Sequence, residues 1–157
     1  MIKIDRIIIE GADQQGKSTF AKKVSELLGW PIQHFAKPDD DFNFFDDYLV
    51  ENKTISDRNF ISEIVYSNFR GSNHRVERVK ELEVEMRKQN YLVILLDRGY
   101  EFEYEDRDED FTKEEILKSM QLYDRVFRNI SLNRIRLNAF SDDQVETVLN
   151  VLRNACI

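Results

Sequence analysis

One cysteine, two prolines, five glycines, two histidines and one tryptophan in 157 residues leave several chemistries without material. Cys156 stands alone, so no internal disulfide is possible and no thiolate cluster can hold a metal. His34 and His74 lie far apart in sequence without companion ligands, and the setting this implies is reducing and cytoplasmic. With so few prolines, 41% hydrophobic residues and no repeat, the composition is neither disordered nor of low complexity. The longest apolar runs, "YLVILL" and "III", fall far short of the ~20 residues of a membrane-spanning helix. No charged-then-apolar signal opens the chain, and no membrane partner is expected. Basic charge is also scarce: 23 Lys and Arg against 30 Asp and Glu give a net charge of −7, which repels a nucleic-acid backbone. Any phosphate must therefore be met locally.

What is present is alternation. Short Ile-, Val- and Leu-rich runs predict strands at Ile4–Ile9, Ile32–Ala36, Thr54–Ser56, Leu92–Leu96 and Arg134–Asn138. Amphipathic stretches predict helices at Lys17–Leu28, Asp41–Val50, Asp57–Phe69, Arg75–Gln89, Thr112–Asn129 and Asp142–Ala155. Thr112 with Glu115, and Ser141 with Gln144, have the spacing of helix-start caps, and Gly29 follows the first helix as a stop. Such an order implies a parallel sheet of about five strands with helices on both faces, an α/β three-layer fold in one domain spanning 1–157. Ligands of such sheets bind beyond the carboxyl ends of the strands.

"GADQQGKS", residues 11–18, matches G-x-x-x-x-G-K-[ST] and sits between an apolar strand and a helix, where that motif must be. Gly11 and Gly16 let the backbone wrap so that its N–H groups face phosphate oxygens, with Gln14, Gln15 and Thr19 completing the loop and first turn. Lys17 is expected to bridge the β- and γ-phosphates, and the Ser18 hydroxyl to ligate Mg²⁺. The competing reading is a glycine turn before a helix with an exposed lysine. Four fixed positions in that context coincide by accident only rarely, so a nucleoside triphosphate cofactor, ATP with Mg²⁺, is the expectation.

A second stretch narrows the class. "EGADQQGKST" resembles the EGxDxxGK[ST]T opening of thymidylate kinases, and "DRNFISEIVYSNFR", residues 57–70, resembles the Asp-Arg-aromatic, Ser, Tyr and Arg pattern of the thymidylate kinase and deoxynucleoside kinase superfamily. The resemblance runs in order through "HFAKP" and a lid near Arg107 to "LNAFSDDQVETVL", and the brevity is that of a compact phage-type member. It implies the P-loop nucleoside triphosphatase fold, with a phosphate loop at 11–18, an acceptor region at 37–70 and a lid at about 98–111. It further implies that Arg58 holds the acceptor phosphate, which a guanidinium fork matches. Asp57 would lie near Mg²⁺, Asp13 would point toward the acceptor sugar and metal, and Tyr66 and Arg70 would contact sugar or base. Phe45 would stack the acceptor base, Arg107 would close over the transferring phosphoryl group, and Asn138 and Ala139 would border adenine. By itself, residues 57–70 also read as an ordinary helix capped by Asp57, with Arg58 in a surface ion pair.

The acceptor divides the alternatives. A nucleoside kinase needs a carboxylate base for a neutral hydroxyl, whereas a monophosphate is already anionic. Where deoxynucleoside kinases carry a glutamate after the second strand, this chain has Lys37, which suits an anionic acceptor. A deoxynucleoside monophosphate, dTMP or another pyrimidine, is therefore the expected substrate, with diphosphate as product. A deoxynucleoside kinase using Glu10 or Asp57 as base, a kinase for a modified base in DNA, and a nucleotide-binding regulatory protein that no longer turns over stay open, as does a homodimer.

Overall fold

A computed structural model describes residues 3–35, 47–70, 78–106 and 112–156, with backbone alone at residues 69 and 70. Its elements run β1 (Arg6–Glu10), α1 (Lys17–Leu28), β2 (Ile32–His34), β3 (Thr54–Asp57), α2 (Phe60–Arg70), α3 (Val79–Arg87), β4 (Tyr91–Leu96), α4 (Lys113–Asn129), β5 (Asn133–Leu137) and α5 (Asp142–Ala155). The five strands form one parallel sheet in the order β2-β3-β1-β4-β5. Ile8 of β1 stands opposite Ser56 on one side and Val93 on the other.

Side chains of a strand alternate between faces, and β1 shows why both faces are covered. Ile7 and Ile9 join one apolar cluster with Phe20 and Val24 of α1 and Val148 and Leu152 of α5. Ile8 joins the other, with Phe60 and Val65 of α2, Leu82 of α3, and Met120 and Tyr123 of α4. All three isoleucines are fully buried, each contributing about 1.5–3 kcal/mol of transfer free energy. The expected three-layer α/β architecture is the one observed.

Local signals account for the boundaries. Gly29 ends α1 in the left-handed conformation, its N–H donating to the Ser25 carbonyl at 2.8 Å. The Thr112 and Ser141 side chains accept from the Glu115 and Gln144 amides, as their spacing predicts. The expected helix from Asp57 instead starts at Phe60, because Arg58 has φ 69° and cannot belong to a right-handed turn. Most of the helix predicted at 41–50 and the start of the one predicted at 75–89 lie outside the described residues.

Candidate active site

Between β1 and α1 the chain must turn sharply against β4. At Gly11, with φ 154°, a Cβ would lie 2.8 Å from the Leu96 carbonyl oxygen, so no side chain is accommodated. Gly16, with φ 83°, occupies the N-cap of α1. It supplies no side-chain cap, and the first turn holds no acidic residue, so the helix start is left to attract an outside anion. A cleft of about 260 Å³ opens there, lined by residues 13–19 with Asp57 and Arg58. A larger hollow, about 430 Å³, lies between Ile4, Trp30 and Cys156 at the amino edge of the sheet and includes no motif residue.

Lys17 is buried, and its Nζ donates to the Ala12 carbonyl at 2.7 Å, curling the side chain back over the loop. Burial brings its pKa down to about 7, helped by Arg58 and opposed by Asp57, Asp13 and Glu10. Ser18 and Thr19 stand exposed in the first turn of α1. Asp57 lines the cleft while its Oδ2 lies 2.8 Å from His34 Nδ1. Among the described residues no three His, Cys, Asp or Glu side chains group as a metal cage. One hydroxyl and one carboxylate fit Mg²⁺, which commonly arrives on phosphates and keeps several waters.

The junction of β3 and α2 carries the second cation. Arg58 Nη1 donates to the hydroxyls of Tyr66 at 2.7 Å and Tyr123 at 3.2 Å. Burial works against this guanidinium, but Tyr123, Tyr66 and Glu10 outweigh it and hold the pKa above its ordinary value. Tyr123 also shares a 2.8 Å hydrogen bond with Ser62, whose hydroxyl donates to Glu10 Oε1 at 2.6 Å. Glu10, fully buried, accepts further from the amides of Asn59 and Ser62, and Asn59 Oδ1 accepts from the Phe60 amide. Burial raises the Glu10 pKa, and the Ser62 and Asn59 bonds and Arg58 resist it.

Two expectations are corrected here. Glu10 and Asn59, not Asp57, cap α2, and Glu10 spends both oxygens on that helix start rather than on the cleft. Arg58 makes no ion pair with a described carboxylate and is half-buried. Tyr123, 65 residues after Arg58 and on another helix, was not singled out from sequence; its place in a buried face of α4 disguises it as core.

The segment after β4 packs on the phosphate loop. Gln15 Oε1 accepts from the Arg98 amide at 2.8 Å, and Gln14 Nε2 donates to the Glu105 carbonyl at 2.7 Å. The Arg98 guanidinium lies 3.3 Å from the centre of the Phe102 ring and 3.5 Å from that of Phe140. Asn138 Oδ1 accepts from the Phe140 amide, and a Cβ at Gly16 would stand 3.5 Å from that of Ala139, so the turn after β5 adjoins the loop. The cleft thus brings Asp13, Lys17, Ser18, Asp57 and Arg58 together. Tyr66 stands behind Arg58, while Lys37, Phe45, Arg107 and the Arg70 side chain lie outside what is described.

No protein-family model matches the sequence, and no curated protein does. Solved structures do. YorR from Bacillus subtilis, in complex with phosphorylated GDP, matches with a TM-score of 0.70 and 23% identity over 94% of this chain and 95% of that one. Thymidylate kinase from Candida albicans matches with a TM-score of 0.60 and 15% identity over 97% and 92%. Deoxyadenosine kinase from M. mycoides, bound to dCMP and dCDP, matches with a TM-score of 0.57 and 19% identity over 95% and 98%. The chain therefore has the three-layer α/β fold of the P-loop nucleotide kinases along nearly its whole length.

Proposed function

We propose that this protein is an ATP- and Mg²⁺-dependent kinase that phosphorylates a deoxynucleoside monophosphate, with dTMP or another pyrimidine nucleotide as acceptor. One observation carries the reading: Lys17 and Arg58 line one cleft, and both spend their hydrogen bonds on neutral oxygens. Lys17 is buried and Arg58 half-buried, and cations so placed without a hydrogen-bonded carboxylate are costly unless anions complete them. Two anions in one cleft are what transfer between a triphosphate and a monophosphate requires. Lys17, the backbone of residues 11–16 and the hydroxyls of Ser18 and Thr19 would meet the donor, and Ser18 and Asp57, which line the same cleft, would hold Mg²⁺. Mg²⁺ would neutralise charge between the phosphates. Arg58 grips the acceptor, backed by Tyr66, and Asp13 stands on the same rim. An acceptor phosphate oxygen attacks the γ-phosphorus in line as the bond to the β,γ-bridging oxygen breaks, and ADP leaves.

Lys37, Phe45, Arg70 and Arg107 complete the proposal on the acceptor and lid sides, and Asn138 and Ala139 on the adenine side. The phosphorylated GDP held by one related fold supports nucleotide binding, whereas the dCMP and dCDP of the deoxyadenosine kinase are its products. A deoxynucleoside kinase is the second reading, favoured by the deoxyadenosine kinase match; Glu10 being committed to α2, Asp57 would have to be its base. Acceptor-dependent ADP release across dTMP, dUMP, dCMP, dGMP, dAMP and the matching nucleosides decides between them. Turnover with a pyrimidine monophosphate is expected. Turnover confined to nucleosides would select the second reading, and ATP binding without any turnover a regulatory protein.

A further inference from the structure

A phosphate loop needs its backbone for phosphate and leaves the four positions between its glycines free in side chain. Here two of them, Gln14 and Gln15, are spent on the segment after β4. The Gln14 amide pairs with the Glu105 peptide unit, Nε2 donating to the carbonyl at 2.7 Å and Oε1 accepting from the N–H at 3.3 Å. Gln15 Oε1 accepts from the Arg98 amide at 2.8 Å, and its Nε2 donates to the Tyr104 hydroxyl at 3.2 Å. Tyr104 donates in turn to the Gly99 carbonyl at 2.7 Å, and Arg98 Nη1 to the Gln14 carbonyl at 3.3 Å. Both ends of segment 98–105 are thereby fastened to adjacent residues of one loop. Gln15 is 1% exposed, so its amide has no water to replace these partners. Gln14 keeps the left-handed φ of 65° that its position in the turn imposes.

The object being held is a cation. Arg98 has acidic neighbours in its own segment, yet pairs with none of the described carboxylates; its guanidinium carbon lies over the rings of Phe102 and Phe140. The Phe140 ring in turn covers Gly16, within 3.2 Å of where a Cβ would be. Aromatic faces hold a cation's position while leaving its charge uncompensated by any formal negative charge.

We infer that Gln14 and Gln15 are positioning residues: they fasten segment 98–105 to the phosphate loop so that Arg98 stands beside the donor phosphates as a third unpaired cation. This rests on the reading of the cleft as a phosphoryl-transfer site. The tether itself does not depend on turnover and is measured separately. Hydrogen exchange of residues 98–106 in the nucleotide-free protein is expected to quicken by about tenfold in Gln14→Ala and in Gln15→Ala, the loss of one to two hydrogen bonds. In turnover, both variants are expected to lose about tenfold in kcat with the dissociation constant of magnesium–ATP moved less than about threefold, a split that general destabilisation would not produce. Gln15→Ala and Tyr104→Phe should be non-additive in a double-mutant cycle. Unchanged exchange in both variants overturns the tether. Quickened exchange with unchanged kcat overturns the positioning role. If wild-type protein turns over no acceptor, the kinase reading fails, and the inference is then decided by whether magnesium–ATP slows exchange of 98–106 in the wild type and not in Gln14→Ala.

Discussion

At Lys17 the burial that readies an ammonium for phosphate also costs stability. Its pKa is about 7 in the folded chain against an ordinary 10.5, so between these values the unfolded chain binds more protons. The contribution of this group to stability is therefore full above pH 10.5 and is lost progressively as pH falls to about 7. Lys17→Met should accordingly melt higher than wild type at pH 7.5, by about 2–4 °C per kcal/mol recovered, while losing measurable magnesium–ATP binding. Scanning fluorimetry beside titration calorimetry checks both halves, and a lower melting point would contradict the account. Because a triphosphate favours the charged form, ATP binding at pH 8 should take up protons, seen as heats that vary with buffer ionisation enthalpy. Arg58 makes a different prediction. Arg58→Lys keeps the charge but loses the planar fork, and acceptor kcat/KM should fall about 10- to 100-fold with ATP affinity retained. The place of Lys17 at the start of α1 was legible in its motif. That Arg58 reaches Tyr123 across 65 residues was not, because nothing in a helix's apolar periodicity distinguishes a tyrosine that packs from one that also bonds.

Helix α2 is the element that follows Arg58 and carries Tyr66, and its start is built by a neighbouring strand. Glu10 ends β1 and accepts from the Asn59 amide and from the amide and hydroxyl of Ser62, so Glu10→Ala orphans two buried amides and leaves the Ser62 hydroxyl only Tyr123. At about 1–3 kcal/mol for each orphaned amide, a loss of at least about 2 kcal/mol is expected, and a fall of roughly 4–8 °C or more in melting temperature. Thr112→Ala removes an ordinary cap from α4, whose loss of about 1 kcal/mol should lower the melting point by only about 2–4 °C. A Glu10→Ala effect no larger than that of Thr112→Ala would show that the carboxylate does not hold the helix. Sequence periodicity located α1 and α5 at their observed bounds, helped by Gly16 and Gly29 at the two ends of α1 and by Ser141 at the start of α5. It placed the start of α2 three residues early, because the positive φ of Arg58 is set by contacts: its N–H donates to Ile9 of β1, and its side chain reaches two tyrosines.

Across the whole molecule, a net charge of −7 surrounds a cleft whose cations face inward. Duplex DNA should not be retained at physiological salt, whereas magnesium–ATP at about 100 times its dissociation constant should add about 2.7 kcal/mol of stability. That corresponds to an upward shift of roughly 5–10 °C in melting temperature, and its absence would remove the nucleotide site. The strand order β2-β3-β1-β4-β5 explains why so small a chain assembles the cleft: β1 lies central, and its two neighbours deliver Arg58 to the cleft from one side and Arg98 to the back of the loop from the other. By itself, the order of residues determined the alternating elements, their parallel arrangement and the phosphate loop, because hydrophobic period, glycine spacing and caps act over a few neighbouring residues. Tertiary structure alone decided that Glu10 serves a helix instead of a substrate, that Arg58 and Lys17 go without carboxylates, and that two loop glutamines hold the segment after β4. Those outcomes depend on burial and on partners far away in the chain, which folding brings within hydrogen-bond reach.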